Sequence, residues 1–589
     1  MKMRVWFLRL AACVLFTTLP AASVAVAASA KVPVQTVTLD NGLTLLLVPK
    51  PELTTVAGGW VAHVGSANER PGITGISHFF EHMMFKGTPT IGTKDPKRDA
   101  EIIAEQEKLQ DRIRQLNTQQ RERWRLGEIA DPYDPATRPP ELTELSNKFD
   151  ALVKEQRDLM VKDEFDQVYT NGGGSGMNAF TNNDMTVYFI TVPANKLELW
   201  FWMESDRLMN SVFREFYSER DVVYEERRLR TESTPTGKFD EQLDSIFWQS
   251  HPYNWPVIGW PDDLRSYTLQ QAKDYYATYY QPGNLTVALV GNFDIENAKT
   301  LAKKYLGRLP KGTNSVPDVV TTEMPQLAEK RMSAECDCQP QIEVRYHTVP
   351  FMHKDTYPLE VLAGVLNGQT GRLNKELVLK QQIASNAGAG QNSMKWAGAF
   401  SFSAQTKGEA DPEALEQAWY RELERIQKEG VPPQELEKVK NNIAADAYRR
   451  LQQPFFLLIQ LLVYDGLKTW TYLNEYADKT AAVTADDVKR VANQYFTPEN
   501  RTVGVYTRKA GASAEPVPPE LADLPAEMQQ GLIAQTKRIK AETDVAKLKQ
   551  GLELVGQQKS QAPPMFQKAL AYMEKAITER LAALEGGAK

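Results

Sequence analysis

Two similar phrases, far apart in the chain, constrain its fold more than any other sequence feature. YYQPGNLTVALVGNFD occupies residues 279–294, and QYFTPENRTVGVYTRK occupies residues 494–509. Each places an aromatic residue, a proline and an asparagine before a run of β-branched residues, which predicts a turn followed by a strand. A phrase repeated in this way indicates a diverged internal duplication. We therefore expect two homologous halves, joined by a linker rich in proline and charge at residues 308–340.

The domain boundaries follow from this duplication. With 589 residues, the chain is long enough for several domains. Apolar and β-branched runs on either side of a turn at residues 40–42 predict that residues 34–63 form strands. We assign residues 31–307 to the N-terminal half, residues 341–510 to the C-terminal half and residues 515–589 to a helical tail.

Two segments have helical periodicity outside these halves. Residues 97–165 carry apolar positions spaced three or four apart on either side of a proline-rich stretch, a pattern that predicts a helical hairpin inserted into the first half. The tail has an apolar stripe that needs a partner surface, in this chain or in another. The stripe consists of Phe566, Leu570, Met573, Ile577, Leu581 and Leu584.

The first 30 residues predict an exported protein. A basic start is followed by an apolar run and small residues, with a cleavage site expected before Lys31. The alternative is a lipoprotein signal with Cys13 as the lipidated residue, but Arg9 interrupts the apolar core that this signal requires. Later in the chain no stretch has the roughly 20 apolar residues needed to cross a bilayer. We expect a periplasmic or otherwise exported chain.

Charge and cysteine content exclude some classes of function. The net charge is −6, and it becomes −9 once Lys2, Arg4 and Arg9 are removed with the signal, which argues against nucleic acid or an anionic membrane as the main partner. Cleavage also leaves only Cys336 and Cys338. With no second cysteine pair to complete a zinc cage, a local disulfide is the other interpretation, and we expect a structural or incidental role.

The stretch GISHFFEHMMFKGT contains the arrangement His78-Phe79-Phe80-Glu81-His82. Positions four apart share a helix face, so both imidazoles can bind one metal ion, with the Glu81 carboxylate beside them as general base and acid. This is the inverted form of the better-known zinc-peptidase motif. The alternative is chance, since the chain has six histidines and two of them can fall four apart without a metal.

The flanking residues decide between these interpretations. GSANERPGITGISHFFEHMMFKGT closely resembles the signature of the pitrilysin, insulin-degrading enzyme and mitochondrial processing peptidase family. In that family the third zinc ligand is a glutamate in a stretch resembling SERDVVYEERR, residues 218–228 here. The resemblance implies one Zn²⁺ per chain, Glu226 as ligand and Glu219 as the acid that orients the site. Glu225 is the rival ligand, and an ordinary solvated acidic helix is the other interpretation.

Spacing supports the resemblance. His82 and Glu226 are separated by 143 residues, whereas the family typically has seventy-odd. Removing the 69 residues of the predicted hairpin leaves 74. The inserted hairpin therefore accounts for the discrepancy.

The resemblance extends over roughly residues 34–508. NAFTNNDMTVYF is similar to the family's edge strand, to which an extended substrate adds as a further strand. Asn178 and Ala179 would then lie beside the scissile bond, while the alternative is a glycine-flanked strand with no ligand. HPYNWPVIGW also matches a family phrase, so we expect His251 to be structural.

The pattern breaks in the second half. The family usually carries an arginine and a tyrosine, seven apart, that bind the substrate carbonyl across a closed chamber. The phrase begins correctly at Arg372, but the two positions hold Val378 and Ser385, and neither side chain can replace the expected donor. A homologous companion subunit, or a second copy of this chain, supplies the pair in one interpretation. In the other, the chain is a weak or inactive relative kept for assembly.

These observations and the resemblance predict an α+β fold. It comprises two α/β sandwich halves, each a mostly antiparallel sheet with helices packed on it, forming half a clamshell. The predicted function is that of an exported zinc endopeptidase that cleaves unfolded or short peptides. The alternative is a non-catalytic assembly or chaperone-like subunit. A coiled-coil scaffold would leave the zinc-motif match unexplained.

Overall fold

The computed structural model describes residues 31–408, 410–509, 518–521, 524, 526–559 and 564–586. The predicted signal peptide and Cys13 lie outside the described residues. Within them the chain folds around two β-sheets, one in each half. In the part that the structure describes, no helix combines the length and apolarity needed to cross a membrane.

The first sheet has six strands in the order β1-β2-β6-β3-β5-β4. All neighbours are antiparallel except the parallel pair β2 and β6. Strand β4 lies at one edge, with β5 as its partner on one side. The strands are β1 (Gln35–Thr38), β2 (Thr44–Pro49), β3 (Thr55–Ala62), β4 (Ser175–Thr181), β5 (Thr186–Pro193) and β6 (Leu285–Gly291).

The first half has ten α-helices in the described residues. Two of them, α2 and α3, form the inserted hairpin. The helices are α1 (Ile76–Met83), α2 (Pro96–Arg125), α3 (Pro140–Leu159), α4 (Glu164–Asn171), α5 (Leu197–Met209), α6 (Phe216–Arg227), α7 (Gly237–Phe247), α8 (Pro261–Ser266), α9 (Leu269–Tyr279) and α10 (Ile295–Tyr305). A π-helical turn, Arg228–Glu232, continues α6.

The second sheet has five strands in the order β7-β11-β8-β10-β9, with β7 and β11 parallel. Its strands are β7 (Lys330–Cys336), β8 (Gln341–Thr348), β9 (Ala384–Ser393), β10 (Gly398–Thr406) and β11 (Arg501–Arg508). The helices of this half are α11 (Thr356–Leu366), α12 (Pro412–Glu429), α13 (Pro433–Leu451), α14 (Pro454–Leu467), α15 (Tyr472–Ala481) and α16 (Ala485–Tyr495). A π-helical turn, Asn374–Lys380, precedes β9.

Each sheet is covered on one face by helices of its own half and on the other by a helix from the opposite half. Helix α14 of the second half places Leu457, Leu458, Leu461 and Leu462 in a buried cluster against the first sheet. Helix α7 of the first half packs on the second sheet, where Leu243 faces Gly504 of β11. The two halves therefore share their cores. The fold class predicted from the sequence, two α+β halves with mostly antiparallel sheets, is confirmed.

The tail forms a small bundle of its own. Its helices are α17 (Ala526–Ala541), α18 (Val545–Lys559) and α19 (Pro564–Gly586). The stripe predicted on α19 packs inside this chain, because Leu570, Ile577 and Leu581 are buried with Leu548 and Val555 of α18. Phe566, at the start of the stripe, is 46% exposed.

One predicted boundary differs from the structure. Residues 330–336 were assigned to the linker but form β7, the edge strand of the second sheet. Arg331 and Glu335 lie at exposed positions of KRMSAEC and Lys330 is half-buried, while Ala334 and Cys336 are buried. Most of the charges that suggested a linker therefore belong to the open face of an edge strand. Cys336 and Cys338 are joined by a disulfide just after this strand.

Candidate metal centre

Helix α1 carries both histidines of the motif and begins at a glycine that no other residue can replace. Gly75 has a φ of 87°, and a Cβ there would lie 2.4 Å from the carbonyl oxygen of Ile258. The buried carboxylate of Glu69 accepts hydrogen bonds from the backbone N–H groups of Gly75 and Ser77, at 2.7 and 2.8 Å. Burial raises the pKa of Glu69 to about 8. The first turn of α1 is thus fixed by its loop.

Helix α6 lies against α1 and presents Glu219 and Glu226 to it. These residues are seven apart, or two helical turns, so their side chains lie on one face. Phe216 at the start of α6 packs edge-to-face on Phe79 of α1, with ring centroids 5.0 Å apart. This contact sets the two helices side by side.

His78, His82 and Glu226 converge on one point. Glu226 Oε2 lies 3.3 Å from His82 Nε2 and 3.8 Å from His78 Nε2. One ligand atom from each residue lies within 4.8 Å of the other two. A tetrahedral zinc ion with bonds of about 2.0–2.1 Å holds its ligand atoms roughly 3.4 Å apart, and two histidines with one glutamate are a known donor set for catalytic zinc.

The local contacts fit a divalent cation. Glu226 Oε2 is shielded from solvent and has no hydrogen-bond partner, a costly state for a carboxylate oxygen that a bound cation would relieve. His82 Nδ1 donates a hydrogen bond to Glu219 Oε1 at 2.9 Å, which leaves Nε2 as the nitrogen free to bind a metal. The residues present therefore suit Zn²⁺.

The two imidazoles have pKa shifts of opposite sign. Burial and the neighbouring His82 lower the pKa of His78 to about 4, in spite of the Glu226 charge. Burial also disfavours a charge on His82, but the carboxylates of Glu219 and Glu226 outweigh it and raise the pKa of His82 to about 9. The carboxylates therefore favour positive charge at the His82 side of the centre, as a cation site requires.

Glu81 lies on the same helix as the histidines and contacts the end of strand β4. Thr181 Oγ1 donates a hydrogen bond to Glu81 Oε2 at 2.7 Å. Burial raises the pKa of Glu81, and the Thr181 hydrogen bond only partly opposes this shift. A carboxyl group whose pKa is raised by its surroundings is suited to take up and release a proton near neutral pH.

Glu219 is held between His82 and a lysine. Its Oε1 accepts from His82 Nδ1, and its Oε2 pairs with Lys86 Nζ. Burial would raise the pKa of Glu219, but the His82 hydrogen bond and the Lys86 charge hold that pKa below its usual value. Glu219 therefore contacts His82 and not His78.

The rival ligand Glu225 points elsewhere. Its side chain is 59% exposed and pairs with Arg228. Glu226 is bound from the other side by Arg230, whose Nη1 lies 2.8 Å from Oε1. Of these two glutamates, the structure brings only Glu226 to the histidines.

The sequence interpretation missed three residues of this centre: Lys86, Thr181 and Arg230. Lys86 and Arg230 each lie four residues after a predicted ligand, a helical spacing that could have pointed to them. Nothing local links Thr181 to Glu81, because they are 100 positions apart.

Asn178 and Ala179, the predicted substrate-binding residues, lie on edge strand β4. They pair with Phe189 and Tyr188 of β5, after an irregularity that begins at Ser175. Asn178 is exposed. Thr181 of the same strand donates a hydrogen bond to Glu81. The exposed edge of β4 therefore ends beside the general-base candidate.

The positions of the missing arginine and tyrosine offer no comparable donors. Val378 is half-buried in the π-helical turn and packs against the second core. Ser385 is exposed on β9, where its hydroxyl lies 3.4 Å from the carbonyl oxygen of Gln405. His251 is buried, and its Nδ1 accepts a hydrogen bond from the backbone N–H of Tyr253 at 3.2 Å.

Comparisons with protein families match both halves of the chain. Residues 45–109, which include the histidine motif, match the insulinase family (peptidase family M16). Residues 266–443 match the peptidase M16 inactive domain. Both halves are M16-family domains.

Relatives and solved structures agree with this assignment. The M16 chain is 28% identical over 472 residues to the zinc protease PqqE of Helicobacter pylori, a match covering 78% of this chain and 90% of PqqE. It is 23% identical to the uncharacterized zinc protease YmxG of Bacillus subtilis, covering 78% of this chain and 95% of YmxG.

A crystal structure of a protease from Helicobacter pylori matches with a TM-score of 0.66 and 25% identity, over 80% of this chain and 99% of that one. The periplasmic protease PqqL of Escherichia coli matches in fold with a TM-score of 0.60 and 18% identity, over 82% of this M16 chain and 49% of PqqL.

Proposed function

We propose that this M16 chain is a zinc-dependent endopeptidase. The observation that carries the proposal is the convergence of His78 Nε2, His82 Nε2 and Glu226 Oε2, with the carboxylate of Glu81 on the same helix. The family relationship supports it, because the relatives PqqE and YmxG are named zinc proteases. His78, His82 and Glu226 hold one zinc ion, and Glu219 supports the centre.

The chemistry divides between the metal and Glu81. A Zn²⁺ held by His78, His82 and Glu226 would supply a Lewis acid for the scissile carbonyl and would lower the pKa of a water molecule. Glu81 takes the proton of the attacking water as general base and returns it to the amide nitrogen as general acid. Thr181 fixes the Glu81 carboxylate by its hydrogen bond, and Glu219 fixes the tautomer of His82.

Edge strand β4 is the proposed substrate site. An extended peptide adds to it as a further strand, held by backbone hydrogen bonds that are largely independent of side-chain identity. Asn178 and Ala179 then lie beside the scissile bond, three and two residues before Thr181. This mode of binding favours unfolded or short peptides, since a folded domain does not present a free strand.

A companion subunit completes the site in this proposal. Val378 and Ser385 cannot stabilise the substrate carbonyl, so an arginine and a tyrosine from a homologous subunit, or from a second copy of this chain, would close the chamber. Loss of a preorganised donor costs on the order of 10²–10³ in rate, so the chain alone should be slow. The first 30 residues, and the description of PqqL as periplasmic, support export.

The departures at Val378 and Ser385 also favour a second candidate, a non-catalytic assembly or chaperone-like subunit. The two candidates differ in turnover. In this second case the metal centre would be retained for structure, and the helical hairpin and tail would serve as docking surfaces.

The test is hydrolysis of a quenched fluorescent peptide library by the mature chain, alone and with its companion subunit. Glu81→Gln should lower the rate by about 10²–10⁴ while zinc content stays the same, because the general base is lost and the ligands are kept. Glu225→Gln is the matched control, since this exposed glutamate of α6 pairs with Arg228. Hydrolysis that survives Glu81→Gln, or no hydrolysis by the zinc-loaded complex, contradicts the peptidase proposal.

A further inference from the structure

Lys86 reaches the metal centre through another residue. Its ammonium pairs with Glu219 Oε2, and the other oxygen of the same carboxylate accepts from His82 Nδ1 at 2.9 Å. A second carboxylate, that of Glu215, lies 3.5 Å from Lys86 Nζ. The side chain of Glu219 is only 9% exposed. A chain of contacts thus runs from Lys86 through Glu219 to His82, whose other ring nitrogen, Nε2, faces Glu226.

The backbone of Lys86 is also held by a hydrogen bond. The guanidinium of Arg214, just before α6, donates from Nη1 to the carbonyl oxygens of Lys86 and Ile91 at 2.8 and 3.0 Å. Its Nε pairs with Asp99 Oδ2 at 2.7 Å, and both side chains are buried. Asp99 lies in the first turn of α2, so the inserted hairpin helps to set where Lys86 stands.

No other lysine or arginine among the described residues has an ion pair with Glu219 within 4 Å. Arg157 and Lys162 line the same cavity of about 580 Å³ as Lys86, His82 and Glu219. Lys162 points to solvent, with its side chain 92% exposed. Glu219 therefore depends on Lys86 for its cation.

We propose that Lys86 is a positioning residue of the metal centre, which holds the Glu219 carboxylate in the orientation that keeps His82 Nε2 directed at the metal. This inference rests on the proposed zinc site. Without Lys86, a largely buried carboxylate loses its cation and is free to turn away from the imidazole. Loss of the outer partner of a metal-bound histidine, which is Glu219 here, typically costs 10–100-fold in metal affinity or activity.

Direct repulsion between the Lys86 ammonium and the metal would change zinc affinity in the opposite direction to positioning. The Lys86 ammonium repels a dication, so its removal would tighten zinc binding if charge alone mattered. Positioning predicts weaker binding and faster release. The sign of the change in affinity therefore separates the two effects.

The experiment measures zinc affinity and zinc dissociation, with a chromophoric chelator as competitor, on the full mature chain. We expect Lys86→Met to weaken binding and speed release by about tenfold or more. Lys86→Arg should stay near wild type, because it keeps the charge beside Glu219 and Glu215. Lys162→Met, in the same cavity, should match wild type.

A double-substitution cycle tests the route. If Lys86 acts through Glu219, Lys86→Met should add little to the zinc loss already caused by Glu219→Gln. Additive losses, tighter binding by Lys86→Met, or equal losses in Lys86→Met and Lys86→Arg would overturn the inference.

These measurements need no turnover. A chain that binds zinc but cleaves no peptide would refute the peptidase proposal, and the role of Lys86 would still be tested by zinc affinity. A wild-type chain that binds no zinc would overturn both.

Discussion

At the scale of single residues, four glutamates with little access to solvent fall into two groups. Glu219 and Glu226 lie beside cationic or imidazole groups that hold their pKa values below the usual range. Glu69 and Glu360 have no such partner, and burial raises their pKa values to about 8 and about 7. The first group attracts a cation, whereas the second carries a stability cost at neutral pH.

Glu360 gives a pH prediction. Its Oε2 is shielded from solvent without a hydrogen-bond partner, and burial raises the pKa of Glu360 although the nearby hydroxyls of Tyr472 and Tyr476 partly oppose this shift. Because the folded pKa is raised, the folded chain binds more protons than the unfolded chain between pH 4.5 and about 7, and stability falls as pH rises through this window. We expect Glu360→Gln to be stabilising above pH 7, by at most about 3 kcal/mol, and close to neutral near pH 4.5.

Urea unfolding at pH 5 and pH 8 would measure this difference. Glu437→Gln, an exposed glutamate of α13 in the same half, is the control and should change neither value. A Glu360→Gln variant that gains the same stability at both pH values would show that the carboxyl group is not the cause.

At the scale of elements, the inserted hairpin braces the helix that carries Glu219 and Glu226. Tyr217 of α6 packs edge-to-face on Phe149 of α3, with ring centroids 5.4 Å apart, and receives a hydrogen bond from Arg114 of α2 at 3.2 Å. At the hairpin base, the buried pair Asp99 and Arg214 joins α2 to the residues before α6. The hairpin is therefore part of the support of the metal centre.

Breaking the ion pair between Asp99 and Arg214, at the base of the hairpin, should destabilise the protein strongly. Asp99→Asn keeps the shape but leaves the guanidinium of Arg214 buried without its charge partner, and removing one member of a buried pair costs about 3–5 kcal/mol. We expect a lower thermal midpoint and faster zinc release, since Arg214 also holds the backbone at Lys86.

The matched control lies further along the same hairpin. Glu141→Gln breaks an ion pair with Arg112 that is exposed at both ends, and exposed pairs contribute little to stability. Thermal unfolding of the two variants compares them directly. Equal midpoints would show that the hairpin base is not a brace.

At the scale of the whole molecule, the two halves exchange helices. Helix α14 covers the first sheet and α7 covers the second, so neither half buries its sheet alone. The connecting residues 311–318 form no helix or strand. The shared cores, rather than the peptide bonds of this connection, should therefore hold the two halves together.

We expect a chain cut at a protease site introduced within residues 311–318 to remain one particle. The apolar faces of α14 and of the first sheet stay buried against each other, and their exposure to water would cost about 25 cal/mol per Å². Gel filtration of the cut protein measures the association. Leu461→Asp, which places a charge in this cluster, should release the fragments after cleavage, and separation of the unsubstituted fragments would contradict a shared core.

Much of the fold could be predicted from local sequence patterns. The duplicated phrases became β6 and β11, the residues around Asp40 became β1 and β2, and the motif became α1, because alternation, turns and helical spacing act over a few residues. The charged strand β7 was missed, since an edge strand with an exposed face has the composition of a linker. Family resemblance, rather than periodicity, pointed to Glu226.

The sequence by itself determined that His78, Glu81 and His82 share one short helix, because positions three and four apart on a helix meet wherever that helix lies. Only the tertiary structure decided what stands around them. The packing of α6 on α1 brings Glu226 to His82. Edge strand β4 brings Thr181 to Glu81, and the hairpin brings Asp99 to Arg214. Such contacts depend on the burial of whole faces, which short-range spacing does not encode.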